Sequence, residues 1–185
     1  MGIWIKWYLP RKFERLFPSL TRDVYRALTV FPTKKYNCIA YAAGDKTKWW
    51  WPDPYGQYYW PINAPRDENV PAFVLMFGLF GYSEIGNASS EPDLEHVAIY
   101  FDRIGTPPFT FPGMPTHAAR QMTNGRWRSK LGAGRLIEHT TLECLNGSFP
   151  AYGEPIKTLR RRRAKKPGFW SRALDFFGDS FLRLL

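Results

Sequence analysis

Cysteine is scarce in this chain, with two residues, Cys38 and Cys144, in 185. Two thiols cannot staple a domain of this size. A disulfide framework is therefore excluded, and a reducing, cytoplasmic setting is the simpler reading. Histidine numbers three, His96, His117 and His139. None forms a close ligand pair with another or with Cys38, so the reading includes no metal and no cofactor. No run approaches the roughly 18 apolar residues of a spanning helix. The best, Ala72 to Phe80, is short and contains Gly78. Lys6, Trp7 and Tyr8 break any leader-like apolar stretch and Pro10 follows, so no secretory signal is read there. Lys6 also stands where a myristoylation motif wants Ser or Thr. There is no internal repeat.

Acid is short overall and shortest at the ends. The formal net charge is +10. Residues 1–20 hold four basic and one acidic side chain, and residues 157–185 nine and two, while residues 21–156 hold thirteen of each. This divides the chain into a basic, aromatic N-terminal extension (1–20), a neutral α+β domain (21–156), and an Arg-rich linker with an amphipathic C-terminal helix (157–185). The ends then meet an anionic surface and the middle does something else. The anionic contacts fall on Arg160, Arg161, Arg162, Arg163, Lys165 and Lys166. Apolar residues at 170, 173, 174, 177, 181, 184 and 185 have helical spacing. With Trp4, Trp7, Phe169, Trp170, Phe177 and Phe181 they suit a membrane interface or a partner protein. Arg-rich runs interleaved with aromatics also suit nucleic acid.

Aromatics are abundant, with eight Trp, ten Tyr and fourteen Phe. Trp49-Trp50-Trp51-Pro52 and Tyr58-Tyr59-Trp60-Pro61 are too proline-rich for a helix or a central strand. They read as an ordered loop packed on its own aromatics, or as a ligand cradle. Short helices are predicted from Arg11 to Phe17, from Thr21 to Leu28, from Cys38 to Gly44, from Asn69 to Phe80 with Asn69 as cap, and from Thr140 to Leu145. Strands are predicted at His96–Phe101, Thr116–Gln121, Arg126–Lys130 after the Asn124-Gly125 turn, and Leu136–Glu138. Helices followed by antiparallel strands suit an α+β fold.

Cys38 is the candidate nucleophile. Lys34-Lys35 precede it and the small apolar run Ile39-Ala40-Tyr41-Ala42-Ala43 follows. A thiol at a helix start gains from backbone N–H groups and the helix dipole, which lower its pKa. A thiol hydrolase also needs a histidine base and an orienting group, brought together by the fold. The competing reading is that Cys38 is simply packed, as most free cysteines are. Cys144, within Leu142-Glu143-Cys144-Leu145, reads as core.

The order Asn37-Cys38, then His96-Val97-Ala98-Ile99-Tyr100, then Thr116-His117-Ala118-Ala119 resembles the NlpC-type branch of the papain-like cysteine peptidases. That resemblance implies a Cys helix packed on an antiparallel sheet, with Cys38, His96 and His117 as the catalytic group. A second resemblance spans about residues 17–153. It rests on Tyr36-Asn37-Cys38-Ile39-Ala40, Trp49-Trp50-Trp51-Pro52, Thr116-His117-Ala118-Ala119-Arg120-Gln121, Trp127 with Ser129-Lys130-Leu131-Gly132, and Ile137-Glu138-His139. These are similar to an uncharacterised bacterial domain family, whose pattern often has Lys at the position of His96. It favours His117 as base, with Gln121, Ser129 or His139 to orient it. Two functions are expected on these grounds. One is a cysteine peptidase or amidase. The other is a non-catalytic accessory subunit, cytoplasmic or peripheral at the membrane, docked through its basic ends to a membrane-associated or nucleic-acid-containing assembly.

Overall fold

Strand-forming residues with long-range partners dominate the architecture. The computed structural model describes residues 9, 11–85, 93–102, 113–147 and 151–163. In chain order the elements are α1 (Arg11–Leu16), β1 (Tyr25–Ala27), α2 (Cys38–Ala43), α3 (Val70–Gly78), β2 (Ser83–Ile85), β3 (Leu94–Asp102), β4 (Met114–Gln121), β5 (Trp127–Lys130), β6 (Leu136–His139), a 3-10 turn (Leu142–Leu145) and β7 (Glu154–Arg162). The strands form one seven-stranded sheet in the order β1-β6-β5-β4-β3-β7-β2. Every pairing is antiparallel.

Strand alternation sends successive side chains to opposite faces. On the first face Val97, Ile99, Ala118, Leu136 and Leu159 meet α2, α3 and the aromatic loop, including Ile39, Trp50, Trp60, Phe73 and Phe77. On the second face Ala98, Tyr100, Ala119, Trp127 and Ile137 are covered by Leu9, Phe17, Leu20 and the 3-10 turn with Cys144 and Leu145. The β4–β5 connection folds back where predicted. Gly125 adopts φ 78°, the Asn124 side chain accepts from Arg126 N (3.1 Å), and Met122 N donates to Arg126 O (2.8 Å). A side chain at position 125 would strain this left-handed backbone.

The expected NlpC-type, papain-like α+β fold is corrected by this sheet. Among the described residues the α-helices span only six, six and nine residues. They are patches on a broad antiparallel sheet and do not make a helical layer. The helix predicted from Thr21 to Leu28 is also absent, because Tyr25–Ala27 pairs with Ile137–His139 as β1. The cap that Thr21 offers is outweighed by a partner more than a hundred residues away. Lys157 to Arg162, read as the start of a linker, lie in β7 between β3 and β2. Leu159 is fully buried there. Arg161 turns to the first face and pairs with Glu95 at 2.8 Å, a partner invisible in a window around the arginines.

Candidate functional site

The start of α2 is set by Asn37. Its Oδ1 accepts from Ala40 N (3.1 Å) and Trp50 N (3.4 Å), while Nδ2 donates to Trp50 O (2.7 Å). One side chain thus caps the helix and fastens the aromatic loop beside it. Gly44 closes α2 in the left-handed conformation. The loop is held by its polar tips. Trp50 Nε1 donates to Asp45 (2.8 Å), Trp51 Nε1 to Glu68 (2.9 Å) and Trp60 Nε1 to Pro65 O (2.9 Å). The Trp60 and Trp51 rings pack on Phe73, with centroids at 5.0 and 5.6 Å. The loop is ordered on its own aromatics, as its composition predicts.

Between this loop and the sheet lies a cleft of about 320 Å³. Trp49, Trp51, Tyr58 and Tyr152 form its aromatic walls, and Cys38 and Thr116 reach it from α2 and β4. Trp49 and Tyr58 face each other with centroids 6.1 Å apart. Burial pushes the Cys38 thiol up to about 11. The N–H groups of Ala118, Ile39 and Cys38 itself, and the Lys130 charge, pull the other way. The helix start therefore acts in the anticipated direction, but desolvation is the larger effect. Lys130 supplies that charge. It is fully buried and held down to about 8 by burial, and Nζ donates to Thr33 O (2.8 Å) and Gly132 O.

The histidines face elsewhere. His117 is paired with Tyr100 across the β3–β4 ladder, and both side chains lie on the second face. Its ring stacks on Tyr152 (4.0 Å, 7°) and meets Tyr100 edge-on at 5.2 Å. Neither ring nitrogen of His117 has a hydrogen-bond partner among the described residues. Burial, with a contribution from His139, keeps it neutral, well below the usual histidine range. His96 shares the parity of Ala98 and Tyr100, so it also lies on the second face, buried opposite Arg160. Gln121 Nε2 donates to Gly125 O (3.2 Å), which pins the β4–β5 turn.

Ser129 and His139 do come together, on the second face. Thr141 O can only accept, so His139 Nδ1 carries the proton donated to it (2.7 Å). In the neutral ring Nε2 then accepts from Ser129 Oγ (2.9 Å). The thiol beside this pair is Cys144. Burial works to raise it, but the His139 imidazole and the Thr140 and Thr141 hydroxyls hold it down to about 6. Those hydroxyls lie 3.5 and 3.6 Å from Sγ. Cys144 is part of the second-face core, as its apolar setting predicts, and the spacing His139-Thr140-Thr141…Cys144 adds polar contacts to its thiol.

The arginine run is split by β7. Arg161 and Arg163 turn toward Glu95, which also binds Arg120 and the Tyr82 hydroxyl. Arg160 and Arg162 are exposed. Lys165, Lys166, Trp4, Trp7, Phe169, Trp170, Phe177 and Phe181 lie outside the described residues. Among the described residues no group of three metal-ligating side chains gathers, and no helix is long and apolar enough to cross a membrane.

No curated protein and no solved structure matches the chain, and nothing found supports the NlpC-type resemblance. A family model does match, described as Domain of unknown function (DUF7689), over residues 28–160. That span contains α2, the aromatic cleft and nearly the whole sheet, and on it the chain belongs to the DUF7689 family.

Proposed function

We propose that this chain is a non-catalytic binding domain whose Cys38 cleft holds an apolar segment of a partner between aromatic walls. The reading rests on one observation. The thiol in the cleft has no imidazole partner, because the side chains of all three histidines belong to the other face of the sheet. A buried thiol at about 11 is protonated at neutral pH and is a poor nucleophile. The cleft itself is apolar and partly pre-formed, the common character of binding pockets. Trp49 adds a polar handle, since its indole N–H has no partner among the described residues.

The test compares the full chain with Cys38→Ala on peptide and amide substrates, and follows tryptophan fluorescence as hydrophobic peptides are titrated in. The expected outcome is no Cys38-dependent turnover and a saturable fluorescence change that Trp49→Ala diminishes. Turnover that disappears in Cys38→Ala would overturn the reading.

A thiol hydrolase using Cys38 and His117 is the second reading, and Tyr152 favours it. That residue both lines the cleft and stacks on His117, whose nitrogens are unbonded. If Tyr152 were displaced, base and thiol would share one space. Under this reading Tyr152→Ala gains Cys38-dependent turnover, whereas the binding reading expects none.

A further inference from the structure

Four consecutive arginines read as one cationic block, but a strand divides them in two. Arg161 is committed to Glu95, with Nη2 at 2.8 Å, and to Phe80 O at 3.0 Å. Arg163 reaches Glu95 at 3.6 Å and Gln121 O at 3.3 Å. Neither is available to a partner without unmaking a buried ion cluster. Arg160 and Arg162 have the opposite parity. Both are exposed, and neither guanidinium has an ion pair or hydrogen bond among the described residues. Two residues apart on a strand, they sit about 6.7 Å apart along one face. Ser83 lies opposite Arg160 and Leu94 opposite Arg162, around a shallow depression of about 370 Å³. No residue of β7 or β2 belongs to the core that covers this face further along the sheet.

We infer that Arg160 and Arg162 form an anion-binding face that seats the domain on phosphate headgroups of an anionic lipid surface. Three observations favour lipid over nucleic acid. The neutral balance of residues 21–156 gives no broad cationic track for a phosphate chain. The sequence directly after β7 adds Lys165 and Lys166 and then an apolar stripe from Trp170 to Leu185 at helical spacing. A basic patch beside such a stripe is the two-signal arrangement that interfacial attachment needs. Aliphatic residues of that set, Leu174, Leu184 and Leu185, have no use on a phosphate backbone. The face stands apart from the Cys38 cleft and does not depend on what that cleft binds.

The experiment is co-sedimentation of the full chain with vesicles of phosphatidylcholine alone or mixed with phosphatidylserine, at low and at physiological salt. Two variants are compared, Arg160→Gln/Arg162→Gln and Lys34→Gln/Lys35→Gln. The second removes the same charge from exposed positions elsewhere. Each arginine at an anionic surface is worth about fivefold, so the first variant should lose about 30-fold in phosphatidylserine-dependent partition. The lysine variant should lose no more than about threefold. Neither arginine has an internal partner, so an unchanged thermal midpoint verifies that the fold is intact. Equal losses for the two variants, or no loss in the arginine variant, overturn the inference. So does an absence of vesicle binding accompanied by single-stranded RNA binding that Arg160→Gln/Arg162→Gln weakens.

Discussion

The two cysteines should react in the reverse of the order their sequence settings imply. Cys38 and Cys144 are 5% and 4% exposed, so access does not separate them. Their surroundings do. Burial pushes Cys38 up to about 11, while His139 and two threonine hydroxyls hold Cys144 down to about 6. At pH 7.4 Cys144 is then roughly 95% thiolate, and Cys38 about one part in 4,000. The less basic thiolate is intrinsically slower. With a Brønsted slope of about 0.45, five pKa units cost it about 180-fold in attack on a disulfide. The net expectation is about 20-fold faster reaction at Cys144 at pH 7.4, with the order reversing near about pH 8.7. The assay is limiting modification by a small aromatic disulfide across pH 6 to 10, read by peptide mapping. Thr140→Val/Thr141→Val removes two of the donors to Sγ and should move the Cys144 midpoint upward and reduce the selectivity. Faster modification of Cys38 at pH 7.4 would refute the electrostatic argument, and would return Cys38 to the position of an activated nucleophile.

Two further outcomes follow from buried charge. Burial works to raise the Glu95 carboxyl, but Tyr82 and the Arg120 and Arg161 guanidiniums hold it below its ordinary value. Glu95→Gln leaves those arginines uncompensated and should cost about 3 kcal/mol by denaturant unfolding at neutral pH. A carboxylate with a depressed folded pKa contributes fully above its unfolded value, and that contribution fades as pH falls through the folded value. The deficit of Glu95→Gln should therefore shrink below about pH 4; a pH-independent deficit under about 1 kcal/mol would count against the ion cluster. Lys130 has the same sign in a higher pH window. Between about 8 and 10.5 the unfolded chain holds its proton and the folded chain does not, so Lys130 makes stability rise with pH across that window. Lys130→Met should flatten this rise, and identical wild-type and variant slopes there would refute it.

Local features were legible where a single segment decides them. Asn37 and Asn69 cap the helices predicted to begin there. Asn124-Gly125 makes its turn, and the tryptophan loop packs on itself. What escaped was decided at long range. Thr21 offers a cap for a helix through Leu28, but pairing of Tyr25 to Ala27 with β6 makes that segment a strand. Lys157 to Arg162 had the composition of a solvated run, but Glu95 neutralises alternate members from 66 residues away along the chain. Identity and order along the chain do not set the orientation of a histidine, and sheet parity places all three on the second face. A shift of one residue would have turned His117 toward α2. Cys144 lies in the core as expected, and its polar surroundings come from a 3-10 turn doubling back on β6.

The neutrality of residues 21–156 also acquires a physical meaning. Among the described residues two buried carboxylates sit in the sheet, each among three guanidiniums. Glu95 meets Arg120, Arg161 and Arg163. Glu138, wholly buried, meets Arg26 (2.7 Å), Arg126 (3.3 Å) and Arg128 (2.9 Å). Much of the domain's arginine is thus spent inside the fold, where desolvation and pairing nearly cancel and geometry is fixed more than stability is gained. Counting charge along the chain conceals this, since a caged arginine and a free one weigh the same. Sorting them by partner leaves Arg160 and Arg162 as free cations in an otherwise committed run. A uniform basic tail would lose affinity gradually as any of its charges were removed, whereas this sheet confines the effect to alternate residues of β7. Arg161→Gln should accordingly lower the melting temperature with little specific effect on lipid partition, and Arg160→Gln the reverse. Equal behaviour of these neighbours in both assays would mean that the strand does not sort them.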